Sequence, residues 1–247
     1  MQRYFTKEKI DNTFILKDDD IYHIKTVMRM KDNDEIIVVY EKKAFLCCLE
    51  NVKNNIKINI KKELEKVNYN TPDITLIIPL LKEQKMDLIL QKATELGVSK
   101  IIPIITNRSI IKLKQTDYLK KLKRWERIVK EASEQSHRVD IPEISEIKTI
   151  EKLININGFK YVCSTKEKAK NIKIVMKNVK NCDRINLVVG PEGGLELKEE
   201  EMLNKLGFES ITLGERIMRV ETVPLFLLSI INYEFMEWYN GCTKYII

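Results

Sequence analysis

Glycine is scarce in this chain. There are eight glycines in 247 residues, with six prolines, five cysteines and two histidines. Each shortage excludes something. The cysteines (Cys47, Cys48, Cys163, Cys182 and Cys242) are odd in number and contain no CxxC, so a disulfide framework is not expected and reduced thiols of a cytoplasmic protein are. The histidines, His23 and His137, lie far apart with no cysteine pair nearby, which leaves no zinc signature. No apolar run approaches the roughly 18 residues of a membrane-spanning helix. The opening stretch MQRYFTKEKI lacks the apolar centre of a secretory leader.

What is present is unevenly placed. Of the net charge of +7, most sits between Arg108 and Arg138, where ten basic residues face four acidic ones. A polyanionic partner and a plain solvated helix face both account for such a run.

The first 66 residues read as short strands, among them DEIIVVY, KAFLCCLE and NNIKINIKKEL, separated by polar turns. Within them DDDIYHIKTVMRM carries Ile21, Ile24, Val27 and Met28 at helical spacing behind Asp18 to Asp20. This predicts a small β-barrel with one helix, followed by a polar linker from Lys66 to Asp73. The rhythm then changes. Strands are expected at ITLIIPLL, KIIPII, KYVCST, RINLVVG and SITL. Helices are expected at KMDLILQKATELG (closed by Gly97), from about Thr116 to His137, in a Lys-rich stretch after KYVCST, from about Leu197 to Leu206, and from about Val223 to Trp238. Strands alternating with helices imply an α/β domain with a mostly parallel sheet covered on both faces.

The scarce glycines are concentrated. Gly190, Gly193 and Gly194 follow the RINLVV strand, with Pro191 among them, and Gly214 follows the next one. Ligands of open α/β sheets bind beyond the carboxyl ends of strands, and glycine lets a ligand approach the backbone. Neither GxxxxGK[ST] nor GxGxxG occurs, and Glu196, Glu199, Glu200 and Glu201 make the first turn a poor phosphate site. A plain strand-to-helix turn is the competing reading. The second turn, TLGERIMRVETVP, crowds Arg216, Arg219, Glu221 and Thr222 before an apolar helix whose first turn holds Pro224. Two such turns at successive strand ends can form one pocket.

LVVGPEGG followed by LGERIMRVET resembles the cofactor-binding end of the SPOUT methyltransferases, and more narrowly the RsmE family. RYF at Arg3, HIKTVMRMKDNDEI at His23, KMDLILQKATELGV at Lys85, NRSI at Asn107 and RWERIVKEASEQSHRVDIP at Arg124 follow the family's order. The resemblance implies a PUA-like RNA-binding β-barrel over residues 1–68 and a trefoil-knot methyltransferase domain over 73–247, working as a homodimer. It implies S-adenosylmethionine as cofactor, no metal, no membrane, a cytoplasmic place of work, and N3 of one uridine of 16S rRNA in the small ribosomal subunit as target. Carried over residue by residue, Val189, Gly190, Pro191, Glu192, Gly193 and Gly194 form the first cofactor loop. Leu213, Gly214, Ile217, Met218, Arg219 and Thr222 form the second, and Ser164 and Thr165 approach as a third. Arg3, His23, Arg29, Arg108 and Arg138 match positions expected to meet RNA. Glu192 is the expected proton acceptor, and Arg138 or Arg219 the group that stabilises developing negative charge.

The chain departs from the family at His137, where Gly is frequent, at Leu195, where Phe is common, and at Val223 and Pro224, where small residues are usual. A non-catalytic RNA-binding factor with the same fold, and a SPOUT enzyme with another RNA target, are the alternatives; the intact glycine loops speak against the first.

Overall fold

The computed structural model describes residues 1–65, 71–109, 115–180 and 183–235. The chain divides into two compact units. One comprises Met1–Asn68 with Lys130–Ile141, the other Tyr69–Val129 with Pro142–Ile247.

The first unit holds strands β1 (Arg3–Phe5), β2 (Glu8–Ile10), β3 (Thr13–Ile15), β4 (Glu35–Tyr40), β5 (Lys43–Glu50) and β6 (Lys57–Glu63). They form one sheet in the order β1-β4-β5-β6-β3-β2, antiparallel except for the β1–β4 pair. Tyr4, Phe14, Ile36, Val38, Cys47, Leu49 and Ile58 fill its core. The expected helix is short and changes pitch. Helix α1 spans Asp18–Tyr22, and His23–Val27 is a π-turn in which Met28 N–H donates to His23 O. The extra residue in that turn rotates its successors off the inner face. Ile24 is buried as expected, whereas Val27 and Met28 are exposed.

The second unit holds β7 (Asp73–Pro79), α2 (Glu83–Glu95), β8 (Lys100–Ile105), β9 (Glu143–Ile144), β10 (Lys148–Thr149), a 3-10 turn (Ile150–Lys152), β11 (Phe159–Cys163), α4 (Ile172–Met176), β12 (Arg184–Val188), α5 (Leu197–Lys205), β13 (Glu209–Ile211) and α6 (Thr222–Phe235). Helix α3 (Gln115–Gln135) starts in this unit, and its residues from Lys130 on cluster with the first. The sheet is wholly parallel, in the order β10-β8-β7-β12-β11-β13, with β9 beside β10 on the β8 edge. Alternation sends Leu76, Ile78, Ile101, Ile185 and Leu187 to a core with α2, α3, α4 and α6. Ile77, Ile102, Ile104, Val162 and Val188 go to a second core with α5 and the 3-10 turn. Both faces are therefore covered.

Pro103 in β8 has a place for its missing N–H. Ser99 O and Ile101 O accept from Glu143 and Ser145 on the outer edge. By the same two-residue alternation Pro103 faces that edge where pairing lapses between β9 and β10.

Helix ends explain two sequence features. Gly97, at φ +88°, closes α2. His137 sits at φ +59° just beyond α3, a left-handed position that glycine adopts without strain, which is why Gly suits it. The Lys-rich helix is only the five residues of α4, capped by the Asn171 side chain accepting from Ile174 N–H. Within the described residues the last helix runs Thr222–Phe235; its expected end at Trp238, Cys182, Cys242 and most of the expected linker lie outside them. No helix among the described residues is long and apolar enough to cross a membrane.

Candidate active site

Strands β12, β11 and β13 are parallel neighbours, so their carboxyl ends emerge side by side. The three segments that leave them surround a cavity of about 650 Å³.

The first segment is tightly folded. Val189 N–H still donates to Ile77 O at 2.9 Å, prolonging β12. A Cβ on Gly190 would meet the Leu195 side chain at 3.2 Å and its backbone N at 3.3 Å, a tight fit where the chain doubles back. Gly194 N–H closes the turn on Pro191 O at 2.8 Å, with Gly194 at φ +71°. Arg108 donates to Gly193 O at 2.6 Å. Beneath it the buried Glu199 carboxylate accepts from Asn107 N–H at 2.7 Å and from Glu196 N–H at 2.8 Å. Glu199 thus fastens both the Asn107 turn and the start of α5 beside the glycines.

The second segment is open. Gly214 lies at φ +113° with free space where a Cβ would stand. Arg216 and Arg219 are exposed, and Ile217 is 86% exposed. The third segment begins at the buried Ser164, whose N–H donates to Ile211 O at 3.0 Å. Its hydroxyl is turned into its own loop, accepting from Lys166 N–H at 3.2 Å. Burial pushes the neighbouring Cys163 thiol up to about 12, so it stays protonated and is no nucleophile.

The lining combines backbone groups of both glycine loops with apolar Val189, Leu213, Met218, Val220 and Val223. Its volume lies in the usual range for a cofactor, roughly 300–1,000 Å³. Lys85 enters from the first turn of α2 and contacts Glu192; it stands 3.2 Å from Glu221. Glu192 and then Glu221 raise the Lys85 pKa above the usual lysine range. Glu221 is held below the usual carboxylate range by its own backbone N–H and by Lys85, against the opposing effect of burial. Carboxylates at the wall suit a cationic guest better than a phosphate.

The RNA methyltransferase domain family matches residues 68–232, and the RNA methyltransferase PUA domain family matches residues 16–63. The ribosomal RNA small subunit methyltransferase E of Mesomycoplasma hyopneumoniae is 38% identical over 93% of this chain and 98% of its own length. The chain belongs to the ribosomal RNA small subunit methyltransferase E family. The Bacillus subtilis member is 34% identical over 95% of this chain and 97% of its own length. The crystal structure of the Neisseria gonorrhoeae member, bound to S-adenosyl methionine, matches with a TM-score of 0.85 at 31% identity, covering 94% of this chain and 97% of that one.

Of the residues expected at the cofactor, Ser164, Thr165, Val189 to Gly194, Leu213, Gly214, Ile217, Met218 and Arg219 line the cavity, and Thr222 does not. Thr222 is the exposed first residue of α6. Arg138 is also absent from the lining. It belongs to the first unit and pairs with Asp140 at 3.0 Å. Arg3 donates to His137 O and Arg138 O at 2.7 and 2.8 Å. His23 Nδ1 lies 3.0 Å from the Tyr4 hydroxyl. Arg29 is exposed, at φ +52°.

The basic run is divided between internal ion pairs and exposed side chains. Arg108, Arg124, Lys130 and Arg138 have carboxylate partners within the protein, whereas Lys120 and Lys123 are exposed on α3. Lys112 and Lys114 lie outside the described residues. Sequence reasoning did not bring Lys85 to this site, and it read Glu199 and Glu200 only as acids near a helix start. Lys85 carried one usable signal, its position just after a buried strand of the same parallel sheet.

Proposed function

We propose that this chain methylates N3 of one uridine in the 16S rRNA of the small ribosomal subunit, with S-adenosylmethionine as methyl donor. The observation that carries the reading is the convergence of three strand-end loops, two of them glycine-bearing, on one cavity in a member of this family. We assign the cofactor to Val189–Gly194, Leu213, Gly214, Ile217, Met218 and Arg219, with Ser164 and Thr165 beside them and Thr222 supporting the second loop from outside. Main-chain donors and acceptors left accessible by the glycines read an uncharged base, and Val189, Leu213, Met218 and Val223 give it an apolar slot. When bound, the cofactor supplies an electrophilic methyl group.

The remaining work falls to the protein. Uridine N3 carries a proton near neutral pH, so the site must take it. Glu192, on the cavity wall, is the assigned acceptor. Arg219, on the open loop, is assigned to the carbonyl oxygens where negative charge develops, with Arg138 as the second candidate. Arg3, His23, Arg29, Arg108 and Arg138 are assigned to RNA; a guanidinium has five donors, so an internal bond leaves others for phosphate or base edges.

We further propose that residues 1–68 are a PUA-like domain that closes into a barrel, that 73–247 are a knotted methyltransferase domain, and that the protein works as a cytoplasmic homodimer. The test is the Glu192→Gln variant with small subunits at saturating cofactor. Turnover falls by about a hundredfold if Glu192 takes the proton. Wild-type turnover removes it from the proton path.

A further inference from the structure

Lys85 opens a motif, KMDLILQKATELGV, to which the proposed reaction gives no role. It stands in the first turn of α2, just past the carboxyl end of β7, and lines the cavity. Its ammonium reaches two carboxylates that are remote in sequence from it and from each other. Glu192 belongs to the first glycine loop, and Glu221 lies just past the second.

We infer that Lys85 is a positioning residue for both loops: its ammonium fastens Glu192 to Glu221 and so sets the spacing of the walls between them. The inference rests on reading this cavity as the S-adenosylmethionine site. Neither carboxylate lies in a helix or strand, so no backbone ladder fixes either one. A Cβ at Gly194 or Gly214 would meet no other group, so no side chain packs against either loop from that side. Without the cation, two carboxylates would repel across the mouth of the site. An ammonium is a compact charge with three donors, which suits two separate carboxylates. Glu221 is the more enclosed partner, with its side chain 16% exposed against 49% for Glu192. The link is therefore anchored at the foot of the second loop and reaches out to the first.

The experiment titrates S-adenosylmethionine calorimetrically into wild type, Lys85→Met, Lys85→Arg and Glu221→Gln. Amide hydrogen exchange of residues 190–194 and 213–219 is read alongside. Lys85→Met and Glu221→Gln should each weaken binding about three- to tenfold, as expected for a pair of partly exposed ion pairs. Both loops should exchange faster, with the thermal midpoint unchanged. Lys85→Arg should recover most of the affinity. A wild-type protein that does not bind the cofactor overturns the reading of the site itself. If wild type binds, and Lys85→Met matches it in affinity and in loop exchange, the clasp alone is overturned. A loss in Lys85→Met with Glu221→Gln unaffected also overturns it, because Lys85 would then meet the cofactor directly.

Discussion

Two lysines in this chain each stand between two carboxylates, and the settings make them different devices. Lys85 meets Glu192 and Glu221 at the wall of an open cavity, with Glu192 half exposed. Lys130 meets Asp20 and Glu134 inside the first unit, where the three side chains are 26%, 7% and 18% exposed. At the cavity, water screens Glu192, whereas the Glu221 side chain is as enclosed as that of Glu134, so only one end of the Lys85 link is solvated. In the first unit, burial raises the Glu134 pKa from 4.5 to about 7, although Lys130 opposes the shift. Burial also works against the Lys130 ammonium, and there the two carboxylates outweigh it, leaving its pKa above the usual lysine range. Tyr4, nearby, is raised by burial and then by Glu134 and Asp20. The same three charges thus form an enclosed cluster in one place and line an open cavity in the other.

The sharpest way to break this comparison is to remove the buried lysine. Lys130→Met leaves Asp20 and Glu134 without their cation, and should cost about 2–3 kcal/mol, toward the lower end for breaking a buried pair because Lys130 is partly solvated. Denaturant unfolding followed in the first unit measures it. An unchanged midpoint would mean that the cluster is better hydrated than its burial implies.

A pH-dependent effect of comparable size sharpens the electrostatics. Below about pH 4.5 Glu134 is protonated whether folded or not; as pH rises toward about 7 the unfolded chain gives up the proton first, so stability falls across that window. Glu134→Gln should flatten the slope. A slope that persists in the variant assigns it to another group.

The smallest effect lies at the cavity. Lys85→Met should move the thermal midpoint by less than about 2 °C, since the ammonium itself is partly solvated and its Glu192 pair is exposed. A shift as large as that of Lys130→Met would erase the distinction.

The features legible ahead of the structure came from local pattern. The glycines at strand ends, the apolar runs of β7 and β12, and Gly97 as a helix stop all depend on neighbours a few residues away. The parallel sheet is implied by the order of such elements. The features that escaped depend on distance in sequence. Glu199 meets Asn107, Lys85 meets Glu221, and Lys130 meets Asp20, and no periodicity encodes any of these pairs. That residues 130–141 cluster with the first unit escaped for the same reason. The two-residue strands β9 and β10 are too short to leave a pattern. The π-turn at His23–Val27 displaced Val27 and Met28 from a face that a regular helix would have given them.

The central claim is a methyl group placed on one base. The measurement is to incubate the purified protein with labelled S-adenosylmethionine and small ribosomal subunits from a strain lacking the modification, then digest the rRNA and identify the labelled nucleoside by mass. The expected result is N3-methyluridine at a single position. Label on another nucleoside, or no transfer to subunits or to free rRNA by a protein that binds the cofactor, would contradict it.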